Sequence, residues 1–193
     1  MTGLLVLVVG PSGSGKDTLI MGAAQTLAGD DRFRFARRVV TRPAVAAEDH
    51  EVTDAAGFAA RRDVGGFALH WEAHGLHYGL PVDILDDLGR GRAVVANVSR
   101  GVLAEAAARF PTVVIEITVS DWVRAARLRK RGREAPADVT ARLTREVPLP
   151  QGLPVFTIVN DGTVAQGIAA IVDFLVNVTV ELETPDRTDE PAQ

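Results

Sequence analysis

Short apolar runs alternate with longer segments whose apolar residues recur every three or four positions through most of the chain. Continuous apolar runs bounded by Gly or Pro are typical of buried parallel strands, and the longer period is typical of amphipathic helices. This pattern predicts strands over residues 4–9, 35–42, 67–71, 77–80, 93–98, 113–119 and 155–159. It predicts helices over residues 16–28, 54–62, 81–88, 99–109, 121–131, 137–145 and 164–176. The repeated order of strand, loop and helix predicts an α/β fold in which helices flank a parallel sheet.

Three residues are predicted to begin helices. Thr53 and Ser99 are good N-cap residues for the helices that follow them, and Pro81 suits the first position of its helix. The short strands and loops of residues 35–80 interrupt this regular order, so we expect them to form an insert. An insert beside an early strand-helix unit suggests a substrate-binding flap.

Composition limits the class of protein. With 193 residues, 47% hydrophobic and 24% charged, the chain is expected to form one domain over residues 1–180. The absence of Cys excludes disulfides, thiolate metal sites and a Cys nucleophile. No signal peptide or membrane-spanning run is evident, so a cytoplasmic location is expected.

The net charge of -4 comes from the C-terminal end of the chain. Residues 181–193 are acidic and are expected to form a disordered tail, whereas the charges of residues 1–180 balance. This distribution favours neither a nucleic-acid nor a membrane partner. It gives no indication of the oligomeric state.

A glycine-rich segment after the first predicted strand matches the pattern G-x-x-x-x-G-K. In this setting the glycines let backbone N–H groups converge on phosphate oxygens, and the following helix adds positive potential. The alternative is an ordinary glycine-rich turn between a strand and a helix. The pattern favours ATP binding, with Lys16 bridging the β- and γ-phosphates. The predicted ATP-binding residues here are Gly10, Pro11, Ser12, Gly13, Ser14, Gly15, Lys16, Asp17 and Thr18.

The residue after Lys16 departs from this pattern. A Ser or Thr hydroxyl usually binds Mg²⁺ at this position, and the chain has Asp17 there, followed by Thr18. Two hypotheses stay open: Asp17 binds Mg²⁺ directly or through water, or Thr18 replaces the usual hydroxyl.

Residues 124–145 contain eight basic residues and two acidic ones, and Gly132 separates two predicted basic helices. Arginine supplies paired donors to a transferring phosphoryl group, and a closing lid excludes water. We therefore expect residues 124–146 to form an arginine-rich lid. The alternative is a solvated basic face in an arginine-rich protein.

Six short motifs follow one another along the chain: the phosphate loop, Thr41-Arg42-Pro43, Gly75-Leu76-His77-Tyr78-Gly79, Arg131-Gly132-Arg133-Glu134, Ala141-Arg142-Leu143 and Val159-Asn160-Asp161. Their order resembles that of guanylate kinase-like proteins over nearly all of residues 4–176. Within that superfamily, the segment from Gly10 to Leu19 and the segment 38–42 look most like the ribose 1,5-bisphosphate phosphokinases. The resemblance implies a P-loop kinase that makes phosphoribosyl diphosphate (PRPP) from ATP and ribose 1,5-bisphosphate in phosphonate degradation.

Several residues differ from those of guanylate kinases on the side that holds the acceptor phosphate. Arg42 fits the first of two expected arginines, but Val45 stands at the second. His50 stands where a tyrosine is expected, and Arg38 stands where a small hydroxyl residue is expected.

The pair of acidic residues expected after the third core strand is replaced by Asn97 and Ser99. Loss of two carboxylates suits a more anionic acceptor, such as a sugar bisphosphate rather than GMP.

The resemblance also implies roles for individual residues. Arg38, Arg42 and Tyr78 would hold the substrate phosphate, and Glu48 fits the acidic position of the flap. Arg131 and Arg142 would be catalytic lid arginines beside Lys16, and Asn160 and Asp161 would contact the adenine side of ATP. The alternatives are a core position for Tyr78, a surface loop for Glu48 and His50, and a simple turn at 160–162.

Two other functions stay open. The same sites would serve a nucleoside monophosphate kinase, although Val45 and His50 argue against it. A non-catalytic kinase-like binding module is the second alternative, and the intact phosphate loop argues against it. The clustered histidines show no metal-binding spacing. Trp71 and Trp122 are expected to be packing residues.

Overall fold

The computed structural model describes residues 3–43, 49–131 and 148–183, with the backbone alone for 128–131 and 181–183. Its strands are β1 (Leu4–Val9), β2 (Phe33–Phe35), β3 (Arg38–Val40), β4 (His50–Val52), β5 (Phe67–Ala73), β6 (Leu76–Pro81), β7 (Ala93–Asn97), β8 (Thr112–Thr118) and β9 (Val155–Val159). Its α-helices are α1 (Lys16–Thr26), α2 (Ala55–Asp63), α3 (Ile84–Gly89), α4 (Leu103–Arg109), α5 (Asp121–Arg131) and α6 (Val164–Glu183).

Five strands form the main sheet in the order β2-β7-β1-β8-β9, and all of their pairings are parallel. Strand β1 is central, which explains why every one of its residues is apolar and buried. Alternate residues of β1 enter different cores: Leu5 and Leu7 face one, and Val6 and Val8 face the other. The α/β prediction, with a parallel sheet between helices, is confirmed.

The insert forms a second sheet of four strands in the order β4-β3-β6-β5. Its β5-β6 hairpin turns at His74 and Gly75, whose φ angles of 55° and 70° are both positive. Positive φ angles at both central residues give the turn a twist that matches the right-handed twist of the two strands. Glycine adopts a positive φ angle easily, which explains its presence at position 75. Helix α2 covers one face of this sheet through Phe58, whose ring stacks on that of Phe67.

Several predicted boundaries in and around the insert are wrong. The predicted strand 35–42 is two strands in different sheets, because β2 ends at Phe35 and β3 begins at Arg38. Strand β4 lies in a segment predicted to be a loop. Asp54, not Thr53, caps α2, since its carboxylate accepts a hydrogen bond from Gly57 N at 2.7 Å.

Other differences lie outside the insert. Pro81 ends β6 instead of beginning a helix. Ser99 makes no side-chain cap, and a short 3-10 turn over residues 100–102 precedes α4. Helix α6 continues to Glu183, past the predicted end and into the segment predicted as a tail. Trp122 is 73% exposed, so it is not the packing residue that was predicted.

Two predicted segments fall largely outside the described residues. These are the second basic helix, 137–145, and the tail beyond residue 183. Within the described residues, no helix is both long and apolar enough to cross a membrane.

Candidate functional site

The phosphate loop lies at the carboxyl edge of the main sheet, between the end of β1 and the start of α1. Crevices at this edge are the usual ligand sites of open parallel sheets. The loop turns through Gly10, Gly13 and Gly15, whose φ angles of 149°, 83° and 93° are positive. Residues with a Cβ adopt such angles at a cost, so the glycines allow the tight loop that the motif predicted.

Asn160 supports this loop from the end of β9. Its Nδ2 donates a hydrogen bond to Ser14 O at 2.7 Å, and a Cβ at Gly15 would lie 2.6 Å from the same nitrogen. The neighbouring Asp161 accepts a hydrogen bond from Ser120 N at 2.8 Å. Asn160 therefore contacts the predicted ATP site through the loop backbone, and the predicted contact with adenine stays a prediction.

Two arginines of α5 bind the same loop. Arg124 is 5% exposed and donates to Ser12 O at 3.0 Å. Arg127 donates to Asn160 O at 2.9 Å and to Ser14 O at 3.4 Å. Sequence reasoning placed both in the lid, and this structure shows both donating to backbone oxygens of the phosphate loop or of Asn160. The density of basic residues in the sequence identified both arginines. It did not indicate their contacts, because the oxygen atoms that accept their hydrogen bonds belong to residues 33 or more positions away in the sequence.

Lys16 lies at the start of α1 and folds back over the loop. Its Nζ donates to Gly10 O at 2.6 Å and to Pro11 O at 3.0 Å. Burial lowers the pKa of Lys16 from 10.5 to about 8, and Asp17 offsets part of this effect. Arg38, Arg124 and Arg100 lower the pKa further. Several cationic side chains therefore lie near the phosphate loop, and their combined charge favours an anion there.

Asp17 connects the phosphate loop to the insert. Its Oδ1 accepts a hydrogen bond from Asn97 Nδ2 at 2.7 Å and lies 3.4 Å from the Arg38 guanidinium. Asn97 is 8% exposed and ends β7. An acidic residue at position 97 would instead repel Asp17, so Asn97 is matched to the unusual residue after Lys16.

Arg38 and Tyr78, two of the residues predicted to bind the substrate, lie close together. The Arg38 guanidinium lies 5.9 Å from the centroid of the Tyr78 ring. Tyr78 stacks on Trp71 with ring centroids 5.5 Å apart, and Trp71 Nε1 donates to Ser99 Oγ at 2.9 Å. Sequence reasoning missed Trp71 and Ser99 as supports of this wall, because their pairing depends on contact between the two sheets.

A second ion pair lies close to the loop. Arg100 donates to Glu116 Oε1 at 2.7 Å, and both side chains are mostly buried. Arg100 is near enough to Lys16 to lower its pKa. No sequence motif identified this pair, since its residues belong to separate elements.

The remaining predicted site residues are placed as follows. Arg42 follows β3, and its neighbour Thr41 accepts a hydrogen bond from His77 N at 2.9 Å through Oγ1. Thr18 is exposed on the first turn of α1. Glu48, Arg142 and the side chain of Arg131 lie outside the described residues.

The loop is chemically suited to a triphosphate. Among the described residues, the buried Ser14 hydroxyl has no hydrogen-bond partner, and Lys16 follows two residues later. Within the described residues, no three His, Cys, Asp or Glu side chains form a group that could hold a metal ion. Asp17 and Thr18 adjoin the loop and are the residues that would contact a Mg²⁺ ion bound with the phosphates.

No protein-family model matches the chain. The ribose 1,5-bisphosphate phosphokinase PhnN of Brucella melitensis is 44% identical over 182 residues, which cover 93% of this chain and 95% of that protein. The chain belongs to the ribose 1,5-bisphosphate phosphokinase family. A family member from Methylobacterium radiotolerans is 46% identical, over 91% of this chain and 98% of its own length.

Some relatives of this phosphokinase family are longer proteins. The bifunctional ribose 1,5-bisphosphokinase-thymidine phosphorylase of Azorhizobium caulinodans is 50% identical over 94% of this chain, but the match spans only 27% of that protein. Among solved structures, guanylate kinase from Anaplasma phagocytophilum has a TM-score of 0.60 at 18% identity, covering 96% of this chain and 88% of that one. This likeness supports the guanylate kinase-like fold that was predicted for this chain.

Proposed function

We propose that the chain is an ATP-dependent kinase that converts ribose 1,5-bisphosphate to 5-phospho-α-D-ribose 1-diphosphate. The observation that carries the proposal is the match to PhnN of Brucella melitensis over 93% of this chain and 95% of that one. By the same argument, the enzyme acts in phosphonate degradation, and we place it in the cytoplasm.

The geometry supports an acceptor with several negative charges. Arg38 lies beside Asp17, so the proposed acceptor wall adjoins the phosphate loop directly. Where guanylate kinases are expected to have acidic residues, Asn97 and Ser99 add no negative charge. A sugar bisphosphate then meets less repulsion than it would between carboxylates.

The proposed reaction is an in-line phosphoryl transfer. An oxygen of the acceptor's 1-phosphate attacks the γ-phosphorus of ATP and forms a new P–O bond. The bond from the γ-phosphorus to the bridging oxygen of ADP breaks, and ADP leaves with that electron pair. The products are 5-phospho-α-D-ribose 1-diphosphate, which keeps the acceptor's 5-phosphate, and ADP.

The protein's part in this reaction is positioning and charge stabilisation. Lys16 would exchange the carbonyl oxygens of Gly10 and Pro11 for phosphate oxygens, and Arg38 and Tyr78 would hold the acceptor. Bound Mg²⁺ would neutralise charge on the phosphates, with Asp17 or Thr18 beside it. Arg131 and Arg142 stay the proposed lid arginines.

Product analysis tests the proposal directly. Purified protein would be incubated with ATP and Mg²⁺ in three parallel reactions, one each with ribose 1,5-bisphosphate, ribose 5-phosphate and GMP. The products would be identified by mass spectrometry. We expect the mass of the 1-diphosphate from ribose 1,5-bisphosphate and little product from the others. Lys16→Ala should lower kcat by about 100-fold or more, because it removes a charge that stabilises the transition state.

The exposed Arg62→Ala is a matched control, since Arg62 pairs on the surface with Asp63. It should keep the activity of the unchanged protein. Rapid GMP phosphorylation without turnover of the bisphosphate would replace the proposal with a nucleoside monophosphate kinase.

A further inference from the structure

Trp71 lies beside the acceptor wall, which is formed by Arg38 and Tyr78. Tyr78 pairs in register with Val40 of β3 on one side and with Trp71 of β5 on the other. Side chains directly opposite each other in a sheet share a face, and Arg38 lies two positions before Val40 on the same face. Leu69, two positions before Trp71, lies in the core that the insert shares with the main sheet. The indole therefore faces the main sheet, on the same side as the acceptor wall.

Three contacts hold the indole of Trp71 in this position. Its ring stacks on that of Tyr78, with the centroids 5.5 Å apart and the two planes only 8° from parallel. Its Nε1 donates a hydrogen bond to Ser99 Oγ at 2.9 Å, just beyond the end of β7. The ring also packs against the shared hydrophobic core. Moving the indole aside would break all three contacts, so the indole is a fixed part of its surroundings.

These contacts complete a closed ring of side chains between the insert and the main sheet. Ser99 follows Asn97 by two positions, and Asn97 donates a hydrogen bond to Asp17 at 2.7 Å. Asp17 lies 3.4 Å from the guanidinium of Arg38, which lies 5.9 Å from the centroid of the Tyr78 ring. The order of strands places β5 on the side of β6 that is away from β3. An acceptor held at the acceptor wall therefore has the indole as its boundary on the side of β5.

The indole has nearly the shape and size of a purine. Both are flat, fused bicyclic aromatic systems, and both carry N–H donors at their edge. Proteins commonly bind bases by stacking them on aromatic side chains. Trp71 already stacks on Tyr78 and already donates to Ser99, so a purine carried by the acceptor would find both partners in use.

We propose that Trp71 determines acceptor specificity: its indole fills a purine-sized position beside Tyr78, so that a phosphorylated pentose is admitted and a purine nucleotide is excluded. The identity of the favoured acceptor rests on the proposed function, whereas exclusion of purine nucleotides by Trp71 does not. Removal of the indole should turn this position into a binding site for a purine base.

Calorimetry in the presence of a non-hydrolysable ATP analogue measures acceptor binding without turnover. Trp71→Ala opens the position, Trp71→Phe fills part of it, and Ser99→Ala removes the hydrogen bond but keeps the indole. Trp122→Ala is the matched control, because Trp122 is the other tryptophan of the chain and is 73% exposed. Each protein would be titrated with ribose 1,5-bisphosphate, GMP, AMP and UMP.

In Trp71→Ala, we expect the affinities for GMP and AMP to rise at least about tenfold, which is within the range for one base stacked on an aromatic side chain. The single ring of UMP fills less of the opened position, so its affinity should rise less. Trp71→Phe should give an intermediate rise for the purine nucleotides. Ser99→Ala and Trp122→Ala should bind the nucleotides as weakly as the unchanged protein does.

Circular dichroism and an unchanged affinity for ATP check that each variant is folded. If Trp71→Ala does not fold, Trp71→Phe provides the test. A folded variant at position 71 that binds GMP and AMP no more tightly than the unchanged protein would overturn the inference, as would an equal rise in Trp122→Ala. If Trp71→Ala gains affinity for purine nucleotides but the unchanged protein does not phosphorylate ribose 1,5-bisphosphate, the proposed function fails and the inference about Trp71 stands.

Discussion

The contacts of Asp17 are with residues that lie far from it in the sequence. Sequence reasoning placed it near magnesium because it follows Lys16 in the phosphate loop. The structure adds Asn97 and Arg38, which lie 80 and 21 positions away and both donate to its Oδ1. No local spacing indicates these partners, so the connection between the loop and the insert was not predicted.

Lys16 carries a prediction about pH. Its pKa of about 8 means that the free side chain loses its charge in mildly alkaline solution. A bound triphosphate favours the charged form of Lys16. Above about pH 8, the side chain must therefore take up a proton from solution when ATP binds. We expect the dissociation constant of ATP to be nearly constant from pH 6.5 to 7.5 and to rise roughly tenfold per pH unit above about 8.

Fluorescence titration with a labelled ATP analogue measures this profile. Lys16→Met should bind more weakly and show no such rise, because it has no group that titrates there. A rise of the same size in Lys16→Met would assign the pH dependence to another group.

Among the elements, the central strands and their following helices were predicted closely. The prediction for β1 is right to the residue, since a strand buried on both faces must be continuously apolar. Strands β2 and β3 were merged because both are β-prone and only two residues separate them. Strand β4 was missed because it has only three residues, and its pairing with β3 is a long-range contact.

Close packing within the insert makes a prediction for Gly79. A Cβ at this position would lie 2.5 Å from two ring atoms of Phe67. The ring has little room to move, because Phe58 stacks on it and Arg61 lies over it. Gly79→Ala should lower the free energy of unfolding by about 1–3 kcal/mol, the usual cost of overpacking.

Urea denaturation followed by circular dichroism provides the measurement. Gly89→Ala is the control, because a Cβ there would meet no atom within 4 Å. Its effect should stay within about 0.5 kcal/mol, as for most surface substitutions. Equal stability of the two variants would show that Phe67 can move aside.

The two sheets share one hydrophobic core at the scale of the whole molecule. Ala68, Leu69 and Leu80 of the insert pack in the same cluster as Leu5 and Leu7 of the main sheet. The insert was expected to be a flap, but this shared core means that its sheet cannot unfold without exposing apolar surface of the main sheet. We therefore predict that both sheets unfold in one cooperative transition.

The two tryptophans make this testable. Trp122→Phe replaces an exposed ring and leaves Trp71, on β5 of the insert, as the one tryptophan, whose emission can be excited selectively. In urea, its fluorescence transition should coincide with the far-ultraviolet circular dichroism transition, which reports on the whole fold. A fluorescence midpoint at clearly lower urea would show that the insert unfolds separately.

The α/β class, the phosphate loop and the central strand could be predicted without the structure, because these depend on local patterns of apolar residues and glycine. The sequence also indicated the family, through motifs that follow one another in order. The partners of Asp17 and the contacts of Arg124 with the phosphate loop became visible in the folded protein alone. Those features arise where separate strands and helices meet, and contacts between residues far apart in the chain leave no periodic pattern in it.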